Sequence, residues 1–200
     1  MRTYEIKKMG AAGWDAIPTL EIDHTYFETP EHIKAHAQIA YDDEAILVHL
    51  STEERVIRAV ENGPLGSPCE DSCLEFFFCP AEGDKRYFNI EFNSNGCMYL
   101  GFGSGIVDLV RLLPDEGWDV FTPKINRREG AWEIFYRVPY SFVRRFFPDF
   151  AVTVGKKMRA NCYKCADFSE PPHYMAWSPI VGEPFKFHRP ECYGEMVFGE

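Results

Sequence analysis

Positive charge is in short supply in this sequence: 21 Lys and Arg stand against 31 Asp and Glu, a formal net charge of −10. Binding nucleic acid requires clustered cations that displace counterions from phosphates, so the balance argues against a nucleic-acid partner. Long apolar runs are missing too. No stretch has the roughly 20 apolar residues needed to cross a bilayer as a helix, and the opening residues MRTYEIKKMGAAGW lack the apolar centre of a signal peptide. The expectation is a soluble, cytoplasmic chain with no membrane partner, or a secreted one if a leader has been removed. Internal repeats and low-complexity tracts are absent. The seven cysteines, an odd number, fit a reducing compartment better than a disulfide framework.

Aromatic residues, by contrast, are plentiful, with 17 Phe and 10 Tyr in 200 residues. Aromatics favour strands, and a β-rich chain of this length commonly forms one domain, here expected over residues 1–200. Its oligomeric state is not legible.

The stretch that organises the rest is Asp71 to Asn93, DSCLEFFFCPAEGDKRYFNIEFN, which reads as two alternating strands around a turn at Pro80, Glu82, Gly83 and Asp84. Leu74, Phe76 and Phe78 share one face with Phe88, Ile90 and Phe92. Cys73, Glu75, Phe77 and Cys79 share the other with Tyr87, Asn89, Glu91 and Asn93. A slip of one residue would put carboxylates into the core, so the register is fixed to steps of two. Setting Glu75 opposite Glu91 would oppose like charges, so Glu75 is expected opposite Asn89 or Asn93. The result is a row of acceptors and amides on an open sheet face, suited to a polar ligand or simply to solvent.

The remaining chain is punctuated into short strands. Arg2 to Lys8 is β-compatible, Trp14 reads as a core plug, and Pro18 to His24 as a short strand. Ile33 to Ile39 and Ile46 to Leu50 form a hairpin around the turn at Asp42 and Asp43. Thr52 to Ala59 reads as a helical turn and residues 62–68 as a loop. Cys97 to Phe102 adds a strand, and 103–116 is a loop with a short helix. Trp118 to Asn126 and Trp132 to Val138 make another hairpin, Pro139 to Phe147 a short helix stopped by Pro148, Val152 to Cys165 a long strand, and Cys192 to Phe198 the closing one. Strands at this spacing predict an all-β, two-sheet antiparallel β-sandwich with one or two short helices.

Seven segments in this order, YDDEAILVHL (41–50), DSCLEFFFCP (71–80), YFNIEFNSNG (87–96), AWEIFYRVPYSFV (131–143), MRANCYKC (158–165), YMAWSPI (174–180) and FHRPECYGEMVF (187–198), resemble the family 9 carbohydrate-binding modules over nearly the whole chain. The resemblance implies a β-sandwich that holds a sugar end between two tryptophans, aided by a carboxylate, an arginine and an asparagine. By position the carboxylate matches Glu75, the arginine position falls on Asn89, the tryptophan positions on about Cys69 and Phe187, and the asparagine position near Pro184. The scaffold and one polar group are therefore expected to persist, while the aromatic clamp is half present.

These readings lead to non-catalytic saccharide binding. Glu75, Asn89 and Glu91 would bond sugar hydroxyls, and Phe187, with Tyr87 or Trp177, would offer an apolar platform. His188 would donate, and Arg159 and Asn161 would contribute from an adjacent strand. The alternative is a protein-interaction or structural sandwich that has lost the sugar. A glycoside hydrolase using Glu75 and Glu91 ranks third, because it needs one buried carboxyl with a raised pKa. Cys162 and Cys165 have the spacing of half a zinc site with no second pair, so no metal is assigned; Cys69, Cys73 and Cys79 read as packed thiols. His36 and His49 fall on neighbouring strands. Haem ligation by a His and a Met such as Met98, as in distant sandwich relatives, has no marked pair. Related modules often hold calcium, for which Asp42 and Asp43 or the Glu82 to Asp84 loop would supply oxygens. Otherwise no cofactor is expected.

Overall fold

The computed structural model describes residues 1–113 and 118–200. Its strands, in chain order, are β1 (Thr3–Lys8), β2 (Leu20–Glu21), β3 (His24–Tyr26), β4 (Lys34–Tyr41), β5 (Ala45–Glu53), β6 (Cys73–Cys79), β7 (Tyr87–Asn93), β8 (Met98–Gly103), β9 (Val110–Arg111), β10 (Lys124–Arg128), β11 (Ala131–Pro139), β12 (Lys157–Ala166), β13 (His173–Ala176) and β14 (Gly194–Phe198). A short helix, α1 (Tyr140–Arg144), follows β11.

The strands pair in the order β10-β11-β5-β4-β1-β14-β12-β6-β7-β8-β9, with β2 added to β4 and β13 to β12 and β3. This curled sheet folds its two halves over one core. Leu74, Phe76, Phe78, Phe88, Ile90 and Phe92 from the β6–β7 hairpin meet Ile39, Val48, Trp132, Ile134 and Val138 from the other half, all buried. The apolar faces expected of both hairpins are thus the faces that pack, and covering them drives the closure.

Pairing is antiparallel with one exception. β1 lies parallel to β14 over Thr3 to Ile6 and parallel to β4 over Lys7 and Lys8, so a single strand joins the two halves.

Four local expectations are corrected. Thr52 to Ala59 is not helical: β5 runs through Glu53, and beyond it the buried Asp71 carboxylate accepts the backbone amides of Val60 and Glu61 at 2.9 and 2.7 Å and pairs with Arg58. Those amides answer to a side chain rather than to a helical turn. The stretch 103–116 carries a turn and β9 in place of a helix, and its residues 114–116 lie outside the described residues. Trp118 to Phe121 is a 3₁₀ turn, with the strand beginning at Lys124. Trp14 is half-buried, packing against a small satellite cluster of Ile17, Ala40, Ala45 and Leu47.

The register of β6 and β7 is the largest correction. Glu75 lies opposite Glu91, and Phe77 opposite Asn89. The like-charge objection presumes two ionised carboxylates, and the burial described next removes that premise.

Candidate functional site

The face of β6 and β7 that carries Glu75, Asn89 and Glu91 is covered. Each of three neighbouring strands places one large ring on it: Phe77 on β6, Tyr87 on β7 and Tyr163 on β12. The segment 178–193 crosses these rings, and Ile180, Tyr193, Phe185 and Phe187 pack on them as a second, smaller core. Burying rings on both sides of the sheet is what turns an expected open face into an interior.

One end of the face stays accessible, as a cavity of about 370 Å³. Glu75, Glu91 and Cys165 form its floor from the sheet. Cys69, just before β6, and Asp167, just after β12, close one side, and Phe27, Tyr174, Phe185, Lys186, Phe187 and His188 surround it.

The walls are aromatic and braced from behind. The Phe187 ring stacks on Tyr163 with centroids 4.1 Å apart and planes 9° apart, and the Tyr163 hydroxyl donates to the Phe187 carbonyl at 3.1 Å. Phe185 packs against Tyr26 at 4.5 Å and Phe27 at 5.1 Å. Phe27 sits at φ +55°, a left-handed conformation uncommon for a residue with a side chain, and its ring is 72% exposed. His188 is anchored through Nδ1, 2.8 Å from the Tyr87 hydroxyl.

Burial disfavours charge on the floor. Burial, and then the facing Glu91, push the Glu75 carboxyl well above the usual range. Burial also raises Glu91 to about 7, offset in part by the hydrogen bond from Asn89 Nδ2 to Glu91 Oε1 at 2.9 Å. Asp167 is raised by burial despite hydrogen bonds from Tyr174 and Cys69. His188 is lowered to about 4 by burial and by Lys186, so its imidazole is neutral at pH 7. Protonated carboxyls both donate and accept. Such a floor offers both donors and acceptors to a ligand rich in hydroxyls.

Of the residues expected at the site, Glu75, Glu91, Phe187 and His188 line this cavity together. Asn89 is fully buried and holds Glu91 from beside it. Tyr87 is also buried and acts as the tether of His188. Arg159 and Asn161 share the cavity-side face of β12 but lie further along it. Arg159 donates to the Pro190 carbonyl at 3.0 Å, and Asn161 bonds the Ser178 carbonyl and amide at 2.9 and 2.8 Å. Trp177 is in the main core, edge-on to Tyr4 at 6.4 Å, and is no platform. Phe27, Asp167, Tyr174, Phe185, Lys186 and Cys165 line the cavity without having been singled out for it. The alternation in YMAW carried the signal for two of these placements, because it puts Tyr174 on one face and Met175 with Trp177 on the other.

The proposed calcium donors are already engaged. Asp42 Oδ1 accepts the amides of Glu44 and Ala45 at 2.8 Å each while Oδ2 faces Arg137 at 3.0 Å. Asp43 pairs with Lys8 at 2.7 Å, and Asp84 with Arg86 at 2.6 Å. These three aspartates are thus held by protein partners. His49 bonds Gln38 and Glu133, and His36 pairs with Glu21, so the two histidines do not meet.

A β-sandwich with a compact, aromatic-walled cavity has the form of a small-ligand binding module. The chain belongs to carbohydrate-binding family 9, whose model matches residues 13–198. Its fold is similar to that of a putative carbohydrate-binding protein from Bacteroides uniformis, at 29% identity and a TM-score of 0.84 over 98% of this chain and 99% of that one. It is also similar to a family 9 carbohydrate-binding module from Caldicellulosiruptor kristjanssonii. In complex with cellotriose that module superposes with a TM-score of 0.70 at 11% identity, covering 99% of this chain and 94% of that one. In complex with glucose it does so with a TM-score of 0.70 at 12% identity, covering 100% and 97%. No curated protein matches the chain.

Proposed function

We propose that the chain binds one end of a neutral saccharide, without catalysis, in the cavity between Glu75, Glu91 and Phe187. The observation that carries this reading is the pairing of the Tyr163-backed Phe187 ring with two buried, facing carboxyls in one hollow. A sugar ring presents an apolar face and a hydroxyl edge, and the cavity offers a surface for each. At about 370 Å³ the hollow is near the lower end of the roughly 300–1,000 Å³ of small-molecule sites, which suits a terminal unit rather than a chain interior. That the Caldicellulosiruptor module of similar fold is in complex with glucose and cellotriose supports the same ligand class.

Catalysis is disfavoured by geometry. A glycosidase flanks the scissile bond with its two carboxyls, whereas Glu75 and Glu91 are cross-strand neighbours that approach the hollow from one floor. The interaction-protein reading rests on Cys69, which stands where the resemblance places a clamp tryptophan.

Isothermal titration with glucose, cellobiose and cellotriose tests the proposal. Saturable binding at one site per chain is expected, lost in Glu75→Gln and in Phe187→Ala while circular dichroism shows both variants folded. Absence of saturable heat with any neutral mono- or oligosaccharide at millimolar concentration would sink it. Binding that both variants retain would place the sugar elsewhere.

A further inference from the structure

The cavity floor holds a second set of donors, which shares Glu75 with the proposed hydroxyl contacts. Cys73 and Glu75 are two residues apart on β6, so their side chains leave the same face. Cys165 on β12 lies directly opposite Cys73. These positions bring two sulfurs and a carboxylate oxygen to within 4.8 Å of one another. Among the described residues this is the one group of three His, Cys, Asp or Glu ligand atoms placed so closely.

Two further observations point to an occupant. The Cys165 thiol donates to Glu75 Oε1 at 3.0 Å, but Glu75 Oε2 is buried without a hydrogen-bond partner. Leaving such a group unmatched in the interior is unfavourable. Glu75 and Cys165 also line the 370 Å³ cavity, which gives an ion a route in and leaves room for one more ligand. Cys162, which shares the CYKC motif with Cys165, is no part of the set. Three residues apart on a strand they face opposite ways, and Cys162 belongs to the main core.

We infer that Cys73, Cys165 and Glu75 form a binding site for a thiophilic divalent cation of the zinc class, with its fourth coordination position open to the cavity. Two sulfur donors select such ions over calcium and magnesium, which take oxygens. Three protein ligands with one open position is the arrangement of zinc sites that keep an exchangeable ligand. Bond lengths of about 2.3 Å to sulfur and 2.0–2.2 Å to a carboxylate oxygen place tetrahedral donors roughly 3.5–3.8 Å apart. The two thiol protons and the Glu75 carboxyl proton leave to solvent as the three groups ligate. Glu75 belongs to both sites, so the metal assignment is tested on the sugar-free chain.

Cobalt(II), titrated into the reduced, sugar-free chain, is the probe. One equivalent is expected to give thiolate-to-cobalt charge-transfer absorption and the visible bands of a tetrahedral ion, both abolished by zinc. Cys73→Ser and Cys165→Ser each lose the charge-transfer absorption, whereas Cys192→Ser, remote from the cavity, retains it. Because both ligand sulfurs are buried, the unmutated zinc-loaded chain supplies an independent reading: X-ray absorption is expected to count two sulfurs with oxygen completing the shell. A shell without sulfur, a shell with more than two, or charge-transfer bands that survive in both serine variants would overturn the assignment. So would the absence of any band at one equivalent.

Discussion

Glu75 faces Glu91 directly across β6 and β7, and both side chains are almost entirely shielded from solvent. Two ionised carboxylates could not share that position. The pairing holds because burial favours the protonated forms, raising Glu91 to about 7 and Glu75 well above its ordinary value.

This pairing predicts a pH dependence. Below about pH 4.5 Glu91 is protonated in both the folded and unfolded chain and contributes nothing. Between 4.5 and about 7 the unfolded chain ionises first, so folding stability falls as pH rises, and above 7 the cost is complete. Glu91→Gln therefore stabilises the metal-free, sugar-free chain at pH 8, on the order of 1–3 kcal/mol, and has little effect at pH 4. Urea denaturation at the two values checks it, and an equal effect at both would contradict the account.

The opposite sign applies to Glu54. Burial alone would raise its carboxyl, but Lys164 at 3.3 Å, His173 and the Ser72 hydroxyl outweigh burial and lower it to about 2. Its contribution is whole above about pH 4.5 and is lost as pH falls towards 2. Lys164 is completely buried, so Lys164→Met removes the fixed cation beside the buried Glu54 and leaves it only Ser72, Trp132 and His173. The expected cost is about 3–5 kcal/mol at pH 7 by chemical denaturation. It shrinks as the medium is acidified.

Gly194 is required by space alone. A Cβ at this position would lie 2.5 Å from the Trp177 ring and 2.9 Å from the Arg2 carbonyl. Gly194→Ala should destabilise by about 1–3 kcal/mol through overpacking. A lowered melting temperature together with altered tryptophan fluorescence is the expected record.

Cys69 lines the cavity where the family resemblance places an aromatic clamp. Cys69→Trp should add a stacking surface opposite the hollow and tighten saccharide binding by about 0.5–1.5 kcal/mol, read as a lower dissociation constant in the titration. Weaker or unchanged binding would mean that Cys69 does not face the sugar.

Much of this arrangement was legible from alternation alone. The six apolar residues of the β6–β7 hairpin, the hairpin of β4 and β5, and the face of Trp132, Ile134, Tyr136 and Val138 all pack as their periodicity requires. The Glu75 register was missed because pairing rules assume surface ionisation, and burial depends on the distant segment 178–193. Trp177 was expected as a platform at the site. The Trp177 amide in fact bonds the Cys162 carbonyl at 2.9 Å, which continues the parity of β13 into the core. Phe27 and Phe185, 5.1 Å apart across more than 150 residues of sequence, carry no local sign of their meeting.

β1 lies between β4, made early, and β14, made near the end of the chain. Until β14 exists, the outer edge of Thr3 to Ile6 has no hydrogen-bonding neighbour, and the halves of the sheet can be stitched only at Lys7 and Lys8. Ring closure of this kind joins segments nearly 200 residues apart, so it belongs to the slow, late part of assembly. Until that seam is sealed, β1 presents an unpaired, adhesive strand edge.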